Sequence, residues 1–168
     1  TSNHDENSWN GTEYEKYGKN AQNLAVFSAT WNGIPLIYSG QEIPNYKRLK
    51  FFDKDQIIWT GELKLDEFYK TLISIKKNNA ALLAGNGNTT AKLIDIDDKD
   101  ILAYERFTDK EAVIVMLNFA GHEALCNFTT QHKGWYIDIF SKKKYHIQSQ
   151  FSITVEGNSF HVLEKITE

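Results

Sequence analysis

The pattern of apolar and polar positions changes near residue 85, with helical patterns before it and strand patterns after it. Residues 17–30 and 65–79 repeat apolar or small residues every three to four positions, which predicts two helices. Acidic residues at Asp66 and Glu67 favour the dipole of the second helix. One face of the first helix carries residues suited to close packing against a sheet: Ala21, Leu24, Ala25 and Ser28.

A short apolar run lies between the two predicted helices. Residues 34–38 read Ile-Pro-Leu-Ile-Tyr and are closed by Ser39 and Gly40. Strands that are buried on both faces have this pattern, which predicts a parallel sheet covered by helices. A helix that feeds such a strand is half of a repeating α/β unit. Residues 41–61 then form a polar and aromatic connecting loop. Loops of this length inside a domain usually have a functional role or cover another part of the domain.

Short strands separated by turns are predicted for the rest of the chain. The Gly-Asn-Gly-Asn stretch at residues 85–88 predicts a domain boundary, which divides the chain into 1–84 and 85–168. In the third predicted strand, Val113, Val115, Leu117 and Phe119 share one face. Strands at this spacing are typical of an antiparallel sandwich. The predicted strands are 92–96, 101–108, 112–119, 135–140, 151–155 and 160–166.

Composition and charge narrow the function classes. The 168 residues include 19 Lys and Arg against 22 Asp and Glu, a near-balance that argues against a nucleic-acid partner. No apolar run approaches the roughly 20 residues of a membrane helix. The single cysteine, Cys126, leaves no intrachain disulfide and no cysteine-based metal site. The chain starts without Met or a signal peptide, so we expect that it was cut from a longer protein. The sequence leaves its localisation open.

Two polar motifs carry the candidate chemistry. The first is Asn3-His4-Asp5 with Glu6 after it, and a histidine beside carboxylates suits a sugar site or a metal site. The second is the segment 33–42, an apolar run that ends in a polar turn. Each motif alone is weak, because such residues also serve as caps or solvated loops. Their order, with the small-residue helix between them, is more specific.

In this order the motifs resemble those of the alpha-amylase family, glycoside hydrolase family 13. Residues 3–5 resemble the family's fourth short motif, at the end of the seventh barrel strand, and residues 33–42 resemble the eighth strand and its turn. The helix at 65–79 resembles the last barrel helix. The resemblance implies an α/β region followed by an all-β region. Residues 1–84 would form the last two βα units of a (β/α)8 TIM barrel, and residues 85–168 would form an antiparallel β-sandwich C-terminal domain.

The resemblance also implies roles for three residues. Asp5 corresponds to the catalytic carboxylate that stabilises the oxocarbenium-like transition state. His4 corresponds to the histidine that hydrogen-bonds the sugar in the same subsite, and Asn3 is assigned to substrate binding because it orients the turn. TIM-barrel active sites lie at the carboxyl ends of the strands, in agreement with this placement. The implied substrate is an α-glucan or a maltooligosaccharide.

The resemblance is incomplete. A retaining glycosidase needs a nucleophile and an acid/base carboxylate about 5–5.5 Å apart, and the family takes them from its fourth and fifth strands, which no segment here matches. We therefore expect this chain alone to be inactive, as a fragment of a parent hydrolase. A quarter of a barrel cannot close, so self-association is also expected. No cofactor is evident, and calcium in the parent enzyme stays open.

The alternative function is a non-catalytic module formed by residues 85–168, either carbohydrate-binding or barrel-capping. Aromatics exposed along one sandwich face would favour binding. Here most of them, Trp135 included, alternate with polar residues, which favours a core and a capping role. Trp9 is expected to be open for stacking on a sugar, whereas Trp31 and Trp59 are expected to pack in the core or within a loop. The acidic run at 95–100 lacks the glycine and distal glutamate of a calcium loop and favours a solvated turn.

Overall fold

A computed structural model describes residues 1–59 and 64–166, so Gly61, inside the predicted connection, lies outside the described residues. Three α-helices precede the strands: α1 (Glu13–Tyr17), α2 (Ala21–Thr30) and α3 (Asp66–Asn78). A π-helical turn at Glu6–Asn10 comes before α1, and 3-10 turns at Gly18–Asn20 and Ala80–Leu82 follow α1 and α3. Within the described residues, no helix is long and apolar enough to cross a membrane.

In the described part of the chain, eight strands form two antiparallel sheets. A six-stranded sheet has the order β1-β2-β3-β8-β5-β6, and β4 pairs with β7 alone. The expected antiparallel β domain is therefore confirmed, and β4 and β6 are two strands beyond the six that the pattern predicted. The strands are β1 (Thr90–Ile94), β2 (Ile101–Phe107), β3 (Ala112–Asn118), β4 (Ala124–Thr129), β5 (Gly134–Asp138), β6 (Lys144–Ile147), β7 (Gln150–Val155) and β8 (Phe160–Lys165).

The central strand β3 is buried along its whole length because it is covered on both faces. Its alternate residues Val113, Val115 and Leu117 pack in the core formed with the helices. Ile114 and Met116 belong to a second core, between the six-stranded sheet and β4–β7. The predicted shared face is thus confirmed, and burial on both sides explains why β3 reads as an unbroken apolar run.

The helices and the β domain share the first of these cores. Ala25, Val26 and Ala29 of α2 and Leu72 of α3 are buried against the sheet, as close packing of a small-residue face requires. Tyr104 of β2 is fully buried, and its hydroxyl lies 2.6 Å from the Thr30 hydroxyl at the end of α2. The division at residue 84 stays a prediction, and the two sides of it are packed together.

The predicted strand at residues 34–38 is wrong for the structure described. No strand forms there, and Ile34 is 86% exposed and Leu36 57% exposed. Ile37 packs against the helix core, so only part of the apolar run is buried. A strand requires a hydrogen-bonded neighbour, and no described segment pairs with this one. The structure therefore contains an antiparallel β domain with a few helices and no barrel strands among the described residues.

Candidate functional site

Asn3, His4 and Asp5 lie at the beginning of the first helical turn. The Asn3 side-chain oxygen accepts a hydrogen bond from the Glu6 amide at 2.8 Å, and the Asn3 carbonyl accepts one from the Asn7 amide at 2.9 Å. Side-chain oxygens of this type satisfy the unpaired amides of a first turn. Asn3 therefore holds the turn that carries His4 and Asp5, while its part in substrate binding stays a prediction.

His4 and Asp5 present their polar ends to solvent. His4 Nε2 lies 3.6 Å from Asp5 Oδ2, and the two side chains are 69% and 59% exposed. An ion pair this exposed contributes little to stability, since water screens it. Both side chains are instead placed where a ligand with hydroxyl groups can reach them.

His4 lies at one end of a group of contacting rings, and we call His4, Trp9, Phe51 and Phe52 the ring cluster. The His4 ring is stacked on Phe51, with centroids 5.7 Å apart and planes 25° apart. Trp9 lies 5.3 Å from Phe51 and 6.1 Å from Phe52. Trp9 and Phe52 are exposed, at 58% and 84%. Flat apolar rings beside polar groups are typical of sites that bind sugars and other small molecules of mixed polarity.

The Asn7 side chain hydrogen-bonds to the backbone of the segment that carries Phe51 and Phe52. It is buried, its side-chain oxygen accepts from the Leu49 amide at 2.7 Å, and its side-chain nitrogen donates to the Lys47 carbonyl at 3.4 Å. Neither Asn7 nor the two phenylalanines were candidates on sequence grounds. The adjacent aromatics in a polar connection were the available signal, whereas nothing in the sequence distinguishes Asn7 from the other asparagines near it.

Two carboxylates also hold this segment. Asp55 accepts from the amides of Lys50 and Gln56 at 3.1 and 2.8 Å and contacts Lys47 Nζ. The hydrogen bond from Lys47, followed by those two amides, lowers the pKa of Asp55 to about 2. Both carboxylate oxygens of Glu15 bind Arg48 Nε, at 3.1 and 2.9 Å.

The hydrogen bond from Arg48 and the Thr12 amide lower the pKa of Glu15 to about 2. Glu15 also closes a capping box with Thr12 at the start of α1. The segment from Lys47 to Gln56 is thus bound at several points to the turn and helix that follow Asp5.

Gln41 has a structural role, because its side chain hydrogen-bonds to three other parts of the chain. Its buried side-chain nitrogen donates to Glu13 Oε1 at 2.6 Å and to the Tyr69 hydroxyl at 3.1 Å, and its side-chain oxygen accepts from the Tyr38 amide. Burial, and then the nearby Glu13 charge, raise the pKa of Tyr69 above its ordinary value. Gln41 therefore joins α1 and α3 to the turn after residue 38.

Two tryptophans differ in how far they match expectation. Trp31 is half-buried and packs against Phe27 and Tyr104, as predicted. Trp59 is 53% exposed and lies outside the helices and strands, so it does not belong to the core, and its packing within the loop stays a prediction. Among residues 1–59 and 64–166, no three or more His, Cys, Asp or Glu side chains converge as a metal site would require.

The chain is similar to known amylases over most of its length. Residues 91–162 match the family model described as the maltogenic amylase C-terminal domain. Alpha-amylase 2 of Dictyoglomus thermophilum is 27% identical over an alignment that covers 85% of this chain. The chain spans about a quarter of that relative's length, since the alignment covers 25% of it.

Solved structures share the fold. A maltogenic alpha-amylase of Thermotoga neapolitana superposes with a TM-score of 0.74 at 16% identity, over 89% of this chain and 37% of that one. A gamma-CGTase of alkalophilic Bacillus clarkii gives a TM-score of 0.69 at 18% identity, over 89% of this chain and 24% of that one. With the match over residues 91–162, these likenesses make the chain similar to the C-terminal part of alpha-amylases.

Proposed function

We propose that the chain is part of a glycoside hydrolase of α-glucans or maltodextrins and that Asp5 is its transition-state-stabilising carboxylate. His4 hydrogen-bonds the same sugar, and Asn3 orients the turn that carries both. The nucleophile and the acid/base carboxylate lie elsewhere in the enzyme. The observation that carries the proposal is the His4–Asp5 pair beside an exposed ring cluster, in a chain whose residues 91–162 match a maltogenic amylase domain.

Charge development explains the role given to Asp5. Glycoside cleavage passes through an oxocarbenium-like state, which carries positive charge at the sugar ring. A carboxylate beside that ring stabilises the charge, and more strongly once the sugar has displaced water from the site. Stacking on Phe51 limits the orientations of the His4 ring, so a sugar hydroxyl meets a partner that is already positioned.

We also propose that residues 1–84 are the last two βα units of a TIM barrel. The exposure of Ile34 and Leu36 supports this, because an apolar run of strand composition is left without neighbours. In a closed barrel the neighbouring strands would supply the missing hydrogen bonds and cover these side chains. The packing of α2 and α3 on a single core with the β domain is compatible with that arrangement.

The test of Asp5 is made in the enzyme that contains this chain. Asp5→Asn is expected to lower kcat for maltoheptaose hydrolysis by about 10²- to 10³-fold, the loss typical of one preorganised electrostatic group. Asp53→Asn is the matched control, since Asp53 is an exposed aspartate paired with Lys50 at 3.7 Å. Wild-type turnover in Asp5→Asn would remove Asp5 from the mechanism. Hydrolysis by the 168-residue chain alone would contradict the placement of the nucleophile elsewhere.

A structural role for the β domain is the second candidate, favoured by the shared core. If the β domain caps the barrel, α2 and α3 should depend on the sheet for their stability. Val115→Ala removes buried contacts at the helix-facing side of β3 and is expected to lower the midpoints of sheet and helix unfolding together. Separate transitions by far-ultraviolet circular dichroism and by tryptophan fluorescence would contradict a capping role.

A further inference from the structure

Trp135 of β5 is an exposed aromatic on a domain whose other rings are covered. It is 54% exposed, whereas every other Phe, Tyr and Trp among the described residues 90–166 is buried or half-buried. The expectation that Trp135 belongs to a core is therefore wrong. The next residue, Tyr136, points to the opposite face and is fully buried in the second core. The indole thus lies on the outer part of the helix-facing side of the sheet.

Trp135 is paired with a histidine across the strands. Trp135 lies opposite His146 of β6 in the register, and their rings are 4.8 Å apart at 35°. The Gln148 side-chain nitrogen lies 2.9 Å from His146 Nδ1. The edge of the indole is therefore bordered by an imidazole and a side-chain amide.

We propose that the Trp135–His146 surface binds a glucose unit of an α-glucan, at a site separate from His4 and Asp5. A pyranose ring offers an apolar C–H face and a rim of hydroxyls, which complement a flat indole bordered by hydrogen-bonding groups. The neighbours on β6 and after it, Lys144, His146 and Gln148, are exposed and polar. A protein partner would instead favour a broader apolar patch around the ring.

The position in the sheet explains the exposure of Trp135 in this chain. β5 and β6 are the last strands of the order β1-β2-β3-β8-β5-β6, and β6 is the edge. The core under α2 and α3 takes its strand residues from β2, β3 and β8, so the helices cover that part of the sheet. The choice of an α-glucan as ligand rests on the proposed function, whereas the existence of the site rests on its own geometry.

The test is a titration of the 168-residue chain with maltoheptaose, followed by the indole N–H signals of its tryptophans in ¹⁵N–¹H spectra. The Trp135 signal is assigned by its loss in Trp135→Ala. It is expected to shift saturably, with the same response in Trp9→Ala, which removes an aromatic of the ring cluster. In calorimetric titrations with maltoheptaose, Trp135→Ala is expected to weaken binding about tenfold, and Trp135→Phe less, because a phenyl ring retains part of the stacking.

Leu125→Ala is the matched control, because Leu125 is 62% exposed on β4 and should leave the titration unchanged. His146→Ala is expected to weaken binding while the circular dichroism spectrum stays that of wild type. A stationary Trp135 signal at saturating maltoheptaose overturns this proposal. If the Trp9 signal shifts in that experiment, the proposed function survives, so the two failures are distinguishable.

Discussion

At the scale of single residues, Asn7 is the clearest case of a buried side chain that positions the candidate site. Asn7→Ala removes the hydrogen bonds to the Leu49 amide and the Lys47 carbonyl. We expect the free energy of unfolding to fall by about 1–2 kcal/mol, since two partly buried backbone groups lose their partner. The Trp9 indole signal should also move, because Phe51 and Phe52 are no longer held beside it.

The control for this prediction is Asn10→Ala. Asn10 is exposed, and its side-chain nitrogen donates to Glu6 at 3.1 Å. Its loss should change neither urea denaturation nor the Trp9 signal measurably. Equal effects of the two substitutions would show that Asn7 has no special part in placing the segment.

Asp138 gives a pH dependence at the same scale. It is buried, its Oδ1 accepts from the amides of Phe140 and Ser141 at 2.9 Å, and its Oδ2 lies 2.7 Å from His161 Nδ1. Burial raises the pKa of Asp138, but the hydrogen bonds from His161 and the two amides outweigh it, and the net pKa is lowered. The stabilisation is therefore present above the unfolded pKa of about 4 and is lost as the pH falls through the folded value.

Urea denaturation between pH 7 and pH 3 checks this sign. The wild-type free energy of unfolding should fall as the pH drops below about 5. Asp138→Asn should be less stable at pH 7 by about 1–3 kcal/mol, the range for a hydrogen bond to a charged group, and should lose less on acidification. The exposed Asp97 provides the control, and an unchanged pH profile in Asp138→Asn would contradict the prediction.

At the scale of elements, the turn between β7 and β8 sits directly on the turn after β3. A Cβ built on Gly157 would lie 2.5 Å from the Gly121 carbonyl carbon and 2.6 Å from the His122 amide nitrogen. Both neighbours are backbone, so Gly157→Ala must push the two turns apart. We expect a loss of about 1–3 kcal/mol, the typical cost of overpacking. Gly87→Ala, at a glycine with open space around it, should be close to neutral in the same thermal melts.

The elements also show what the sequence could predict. The two long helices and six strands follow from periodicity, because their apolar residues face one of the two cores. The apolar pattern did not predict β4 or β6. β6 begins in a lysine-rich run and is the edge strand, with Lys144 and His146 exposed. The segment 34–38 has strand composition but no partner, and pairing is a property that composition cannot supply. Likewise, the ring cluster depends on Asn7, whose role is visible only in space.

At the scale of the whole molecule, the exposed run at residues 34–38 predicts self-association. Ile34 and Leu36 are exposed, whereas Leu72 and Val26 nearby in the core are covered. Exposed apolar side chains on an unpaired segment lower their free energy by contact with a second copy, through both burial and backbone hydrogen bonds. The chain is therefore expected to show a concentration-dependent mass by light scattering.

Self-association should depend on residues 34–38 and not on exposed apolar side chains in general. A double variant, Ile34→Ser with Leu36→Ser, removes the two most exposed apolar side chains of the run and should shift the chain towards a monomer. Leu93→Ser with Leu125→Ser, two exposed leucines on β1 and β4, should leave the association unchanged. A wild-type monomer at high concentration would mean that the chain covers this segment by itself. In that case the exposure of Ile34 and Leu36 would no longer support a barrel strand that awaits its neighbours.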